Sequence, residues 1–146
     1  MSMGSILIEI RGIPRPRKEA AMRTKIDTSD APAAIGPYSQ AIRYGDLLFV
    51  SGQLPIDPAT GAMEAPDIAI QTRRVLSNLT AVVRAAGMKP ENILRCTCFL
   101  ADMAEFPKFN EIYAEFFGKD APSRETVQVA RLPKDSRVEI SAVCGA

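Results

Sequence analysis

Residues 67–87, "DIAIQTRRVLSNLTAVVRAAG", decide the fold class. Ile68, Thr72, Val75, Leu76, Leu79, Val82, Val83 and Ala86 recur at three- and four-residue spacing, which puts one apolar stripe along a helix. Gly87 supplies the stop. Downstream, residues 93–101, "ILRCTCFLA", read as a strand. Residues 102–118, "DMAEFPKFNEIYAEFFG", read as a second helix with Phe106, Phe109, Ile112, Tyr113 and Phe116 on one face. Asp102 and Glu105 have capping-box spacing, and Gly118 ends the helix.

Working outward, "QAIRYG" (40–45) and "LLFVSGQL" (47–54) predict a hairpin around Gly45-Asp46, preceded by a short strand "RTKI" (23–26). The intervening "TSDAPAAIGPYS" (28–39) is a loop whose Pro, Gly and Asp content suits a binding segment on a rigid frame. "ETVQVA" (125–130) and "SRVEISAV" (136–143) are the last two strands, bracketing "RLPKD". The order is α+β: one domain with a mixed sheet of five or six strands and two helices on one face. Strands 47–50 and 93–101 are apolar enough to want cover on both faces, and two helices cover only one. A second copy of the chain is the expected cover for the other face.

Length and composition narrow the chemistry. The 146 residues fit a single domain, 47% hydrophobic and 24% charged. No apolar run approaches the roughly 20 residues that span a bilayer, so no membrane partner is expected. Histidine is absent, which removes histidine-based nucleophile activation and most transition-metal sites. No metal or cofactor is expected. Cys96 and Cys98 lie on one strand face; they read either as half of a soft metal or redox site or as small residues packed under a helix. Three cysteines and no secretory signal point to a reducing, cytoplasmic compartment.

Residues 1–22 differ from the rest. Their apolar run is broken by Glu9 and followed by "IPRPRK", which suits neither helix nor central strand. A start assigned too early, a transit segment, disorder or a short added strand are the open accounts of 1–22, with 23–146 the domain. The segment holds four basic and two acidic residues, so the remainder carries 14 basic and 15 acidic residues, a net of −1. That balance offers no basic footprint for nucleic acid.

Two charges stand out near the end. Arg124 leads one strand, and Glu139 interrupts another between Val138 and Ile140. They read as edge charges that discourage strand aggregation. Alternatively, they are a guanidinium that grips a small carboxylate and a carboxylate that handles water or a proton.

Three blocks, "APAAIGPYSQA" (31–41), "LLFVSGQLPIDPATG" (47–61) and "RETVQVARLPKDSRVEI" (124–140), closely resemble the Rid family, the reactive intermediate deaminases also known as YjgF-type or L-PSP endoribonucleases. The resemblance runs from about Thr24 to Val143. It implies a chorismate-mutase-like fold, a homotrimer with ligand clefts between subunits, and hydrolysis of 2-imino and enamine acids to 2-keto acids and ammonia. By that resemblance, Arg124 matches the carboxylate-binding arginine and Glu139 the water-positioning glutamate. Tyr38, Ser51 and Asn110 match cleft residues, and Thr126 lends backbone groups. Three positions depart from the family pattern: Glu125 where a small residue is usual, Thr126 where Cys is common, and Ser141 in place of an acidic residue. The competing classes are a non-catalytic carboxylate sensor or chaperone-like trimer, which has little use for Glu139, and an endoribonuclease or translation inhibitor.

Overall fold

The computed structural model describes residues 22–146. Six strands, β1 (Arg23–Ile26), β2 (Ala41–Tyr44), β3 (Leu47–Gln53), β4 (Ile93–Leu100), β5 (Ser123–Gln128) and β6 (Val138–Gly145), form one sheet in the order β1-β2-β3-β6-β4-β5. Only the β4–β5 pair is parallel; its connection carries α2 (Phe106–Phe117), as a parallel crossover requires. The longer α1 (Ile68–Ala85) links β3 to β4. The expected sheet of five or six strands is thus six, with both helices on one face. The expected extension falls almost entirely on residues 1–21, outside the described residues.

Local chemistry sets the helix ends. Asp67 Oδ1 accepts from Ile70 N at 3.0 Å and caps α1. Gly87 follows at φ 76°, and Arg43 reaches across to donate to the Ala86 carbonyl at 2.7 Å. At α2 the capping box does not form. Asp102 does accept from Ala104 N, but residues 103–105 make a 3-10 turn, and Glu105 pairs with Arg137 at 2.8 Å instead of reaching back. The Arg137 cation outcompetes a backbone N–H for the carboxylate.

Strict alternation positions the core. Val138, Ile140, Ala142 and Cys144 of β6 are buried against α1, beside Cys96, Cys98 and Leu100 of β4 and Leu48 and Val50 of β3. Val75, Leu79, Val82 and Val83 of α1 and Phe109 and Tyr113 of α2 close the layer. Each buried Val, Leu, Ile or Phe side chain among these contributes about 1.5–3 kcal/mol. The three cysteines are free and packed in this layer. Burial pushes Cys98 and Cys144 up to about 12 and raises Cys96, so all three stay thiols. Among the described residues no helix lies over the opposite sheet face. Leu47 and Phe49 of β3 stand 40% and 47% exposed there, an apolar surface of the kind that a further layer covers.

Candidate active site: two half-sites on one sheet

The first half-site belongs to β5 and α2. Arg124 is paired in register with the core residue Cys96, so its side chain leaves the helix-bearing face at the sheet's edge. There it lies on α2. Its guanidinium carbon is 4.6 Å from the Tyr113 ring centre, 5.6 Å from Phe106 and 5.8 Å from Phe109. Nη1 donates to Asn110 Oδ1 at 2.8 Å. Positions 106, 109, 110 and 113 fall on one helix face by their i, i+3, i+4, i+7 spacing, which is why one cation meets all four. Ring faces carry partial negative charge and attract the cation, by about 0.5–2 kcal/mol according to its exposure. Among the described residues no carboxylate pairs with Arg124. Glu125, the nearest candidate in sequence, points to the other face and pairs with Arg95. The result is a planar donor held by neutral groups, its full charge open to an incoming anion.

The second half-site is a cavity of about 500 Å³ on the helix-free side, walled by the 32–40 loop, β3 and the turn at 133–134. Glu139 lines it. Its strand pairs in register with Phe99 on β4, and on β3 the register shifts between Val50 and Gln53. Ser51 and Gly52 there oppose the single residue Ser141, a β-bulge of the kind that re-aims side chains. Gly52 leaves room for the carboxylate: a Cβ at that position would sit 1.9 Å from Glu139 Oε1. Ser51 is fixed at both ends, its N–H donating to the Gln40 carbonyl at 2.9 Å and its hydroxyl to the Ser39 carbonyl at 2.6 Å. Tyr38 stands at the rim, half exposed, and its hydroxyl accepts from Ile35 N at 3.4 Å. Among the described residues no cation forms an ion pair with Glu139, although Lys134 lines the same cavity, and partial burial raises its carboxyl above the ordinary value of 4.5. A carboxylate of raised basicity in a cleft is equipped to take a proton from water.

A larger groove of about 840 Å³ lies between α1 and α2 on the outer surface. It contains none of these groups, and its Arg73 is already paired with Glu115 at 3.4 Å.

Against known proteins, the endoribonuclease L-PSP family model matches residues 28–145. This chain belongs to that family, the Rid or YjgF family. The chain is 44% identical over 125 residues to the 2-iminobutanoate/2-iminopropanoate deaminase of Escherichia coli, covering 84% of this chain and 97% of that one. It is 50% identical over 122 residues to a RutC family protein of Pyrococcus horikoshii, covering 84% and 97%. Among solved structures, Escherichia coli TdcF with bound serine is similar at a TM-score of 0.81 and 43% identity, covering 84% of this chain and 98% of that one.

Within this Rid chain the six residues singled out from sequence divide between the two half-sites. Arg124 and Asn110 meet on α2. Thr126 lies on the same sheet face as Arg124, its hydroxyl buried beside the Cys98 thiol with no oxygen or nitrogen partner among the described residues. Tyr38, Ser51 and Glu139 line the cavity. Sequence reasoning missed Gly52, and it placed Phe106, Phe109 and Tyr113 on one helix face without linking them to Arg124. The helical spacing that marked those rings as one face also marked Asn110 as their neighbour. What it lacked was the β4–β5 register that brings Arg124 over them.

Proposed function

We propose that this protein hydrolyses 2-imino acids and their enamine tautomers, such as 2-aminoacrylate and 2-iminobutanoate, to 2-keto acids and ammonium, thereby clearing reactive products of PLP-dependent enzymes. It works as a homotrimer whose clefts combine Arg124 of one copy with Glu139 of the next. The observation that carries the reading is the Arg124 guanidinium, set over three rings and without a counter-charge among the described residues, while Glu125 is held by Arg95 on the other face. A cation so placed suits a small carboxylate, gripped by two parallel hydrogen bonds. The deaminase named among the relatives and the serine bound by TdcF support the same substrate class.

In the proposed reaction Arg124 fixes the substrate carboxylate and Glu139 orients a water on the iminium carbon. The water oxygen bonds to carbon as Glu139 takes its proton. Glu139 returns that proton to the amino nitrogen of the adduct, the C–N bond breaks with its electron pair leaving on nitrogen as ammonia, and the hydroxyl proton passes from the forming carbonyl to the ammonia, giving a 2-keto acid and ammonium. A protonated imine is already electrophilic, so the step needs only positioning and one base. The cytoplasm, where free thiols stay reduced, is the setting that goes with this reading.

The test generates 2-iminobutanoate with a threonine dehydratase and traps it with semicarbazide. Wild type should divert imine to keto acid ahead of the trap; Arg124→Ala and Glu139→Ala, folded, should not. A wild type that does no better than buffer while binding 2-oxobutanoate through Arg124 would favour a non-catalytic carboxylate sensor.

A further inference from the structure

The 14 residues 27–40 join β1 to β2 with no helix or strand of their own, yet they form one wall of the Glu139 cavity through Pro32, Ala33, Ile35 and Tyr38. A segment this long without secondary structure needs its backbone groups satisfied elsewhere. Gln40 supplies the partners. Its side chain is 2% exposed. Oε1 accepts from Thr28 N at 2.7 Å, and Nε2 donates to the carbonyls of Thr28 at 3.0 Å, Pro32 at 2.8 Å and Ala31 at 3.3 Å. Because one end meets an N–H and the other end carbonyls, the amide has a single workable orientation. It pairs with both backbone groups of Thr28 much as a neighbouring strand would. The Gln40 carbonyl meanwhile accepts from Ser51 N at 2.9 Å, so one residue ties the loop to the bulge beside Glu139.

We infer that Gln40 is a positioning residue for the site: it clamps the base of the 28–38 loop and thereby holds Tyr38 and Ile35 at the cavity rim. Ile35 and Tyr38 are the loop's large exposed apolar side chains, at 74% and 51%, and they follow the clamped Pro32 carbonyl along the loop. Buried hydrogen bonds elsewhere, such as Asn78 Nδ2 to the Leu54 and Ile56 carbonyls, fasten the other side of the same cavity to α1. The loop wall depends on Gln40.

The inference rests on the imine-hydrolase reading for its functional meaning, and the experiment separates the two. Full-length wild type, Gln40→Leu and Gln40→Glu are compared with Val75→Ala, a core variant in α1 that loses stability without touching the loop. Each is titrated with 2-oxobutanoate, assayed for imine diversion, and followed by hydrogen exchange at the Ala33–Tyr38 amides. Gln40→Leu should bind 2-oxobutanoate about tenfold more weakly and exchange faster at Ala33–Tyr38, since several net hydrogen-bond contributions are lost there. Val75→Ala should change neither. Gln40→Glu keeps the acceptor and the size but loses the donors, and should shift both readouts the same way if the leucine variant does not fold. Unchanged exchange in both Gln40 variants, or the same loss of binding in Val75→Ala, overturns the inference. Absence of imine diversion by wild type overturns the hydrolase reading alone; the exchange comparison still decides the clamp.

Discussion

Arg124 and Glu139 extend from opposite faces of the same sheet. Arg124 shares its register with the buried Cys96, whereas Glu139 alternates with the buried Val138 and Ile140 and so points the other way. Their strands are separated by β4, and Glu139 lies three residues along β6 from the position level with Arg124. At ordinary strand spacing their Cα atoms are about 14 Å apart. One chain therefore cannot close both groups on a small acid. Two copies can, if the helix-free face of one meets the Arg124 edge of another.

Subunit mixing tests that arrangement. The Arg124→Ala and Glu139→Ala proteins, each purified alone, should be inactive. Unfolded together and refolded as a mixture, they should regain imine diversion, because some clefts then combine an intact Arg124 with an intact Glu139. A site built within one chain would regain none.

Arg124→Lys should behave almost as Arg124→Ala. Lysine offers neither the planar fork nor the stacking on Tyr113, and each charge-assisted hydrogen bond contributes roughly 1.5–3 kcal/mol. The expected fall in kcat/KM is about 10²-fold or more, read in the semicarbazide assay, with 2-oxobutanoate binding weakened in parallel.

Glu139→Gln should lower kcat by about 10²–10⁴-fold. It should also stabilise the protein at neutral pH. Burial raises the folded carboxyl above 4.5, so the folded state binds the proton more tightly than the unfolded chain. Wild-type stability associated with this group is full below the unfolded value and is lost as pH rises through the folded value. The glutamine variant escapes that loss. Thermal melts should show Glu139→Gln ahead of wild type near neutrality and converging with it as pH falls below 4.5.

Gly52→Ala separates folding from catalysis. The new Cβ collides with the end of a flexible side chain, at 1.9 Å from Glu139 Oε1, so Glu139 swings aside while the backbone stays. The melting temperature should change little, and activity should fall toward that of Glu139→Ala.

Tyr113 acts through its ring. Its hydroxyl is buried without an oxygen or nitrogen partner among the described residues, and its ring carries the closest guanidinium contact. Tyr113→Phe should keep the affinity for 2-oxobutanoate, whereas Tyr113→Leu should weaken it about three- to tenfold, the range set by one cation–π contact.

The elements of this protein were legible in its residues because each is a local matter. The α1 stripe, the Gly87 and Gly118 stops and the β6 alternation all follow from periods of 3.6 and 2. The Asp102–Glu105 capping box was not legible, because its failure depends on Arg137, which is 32 residues away in sequence. By itself the sequence determined the α+β order, the uncovered sheet face, and the two charges singled out, Arg124 at the head of one strand and Glu139 between the apolar Val138 and Ile140 of another. Only the tertiary structure decided that those charges occupy opposite faces, that three rings of α2 lie beneath Arg124, and that a bulge at Ser51–Gly52 opens the space for Glu139. The physical reason is register. Alternation assigns side chains to faces within one strand, but which face meets the helices, and what lies across the ladder, is fixed by pairing between strands distant in the chain.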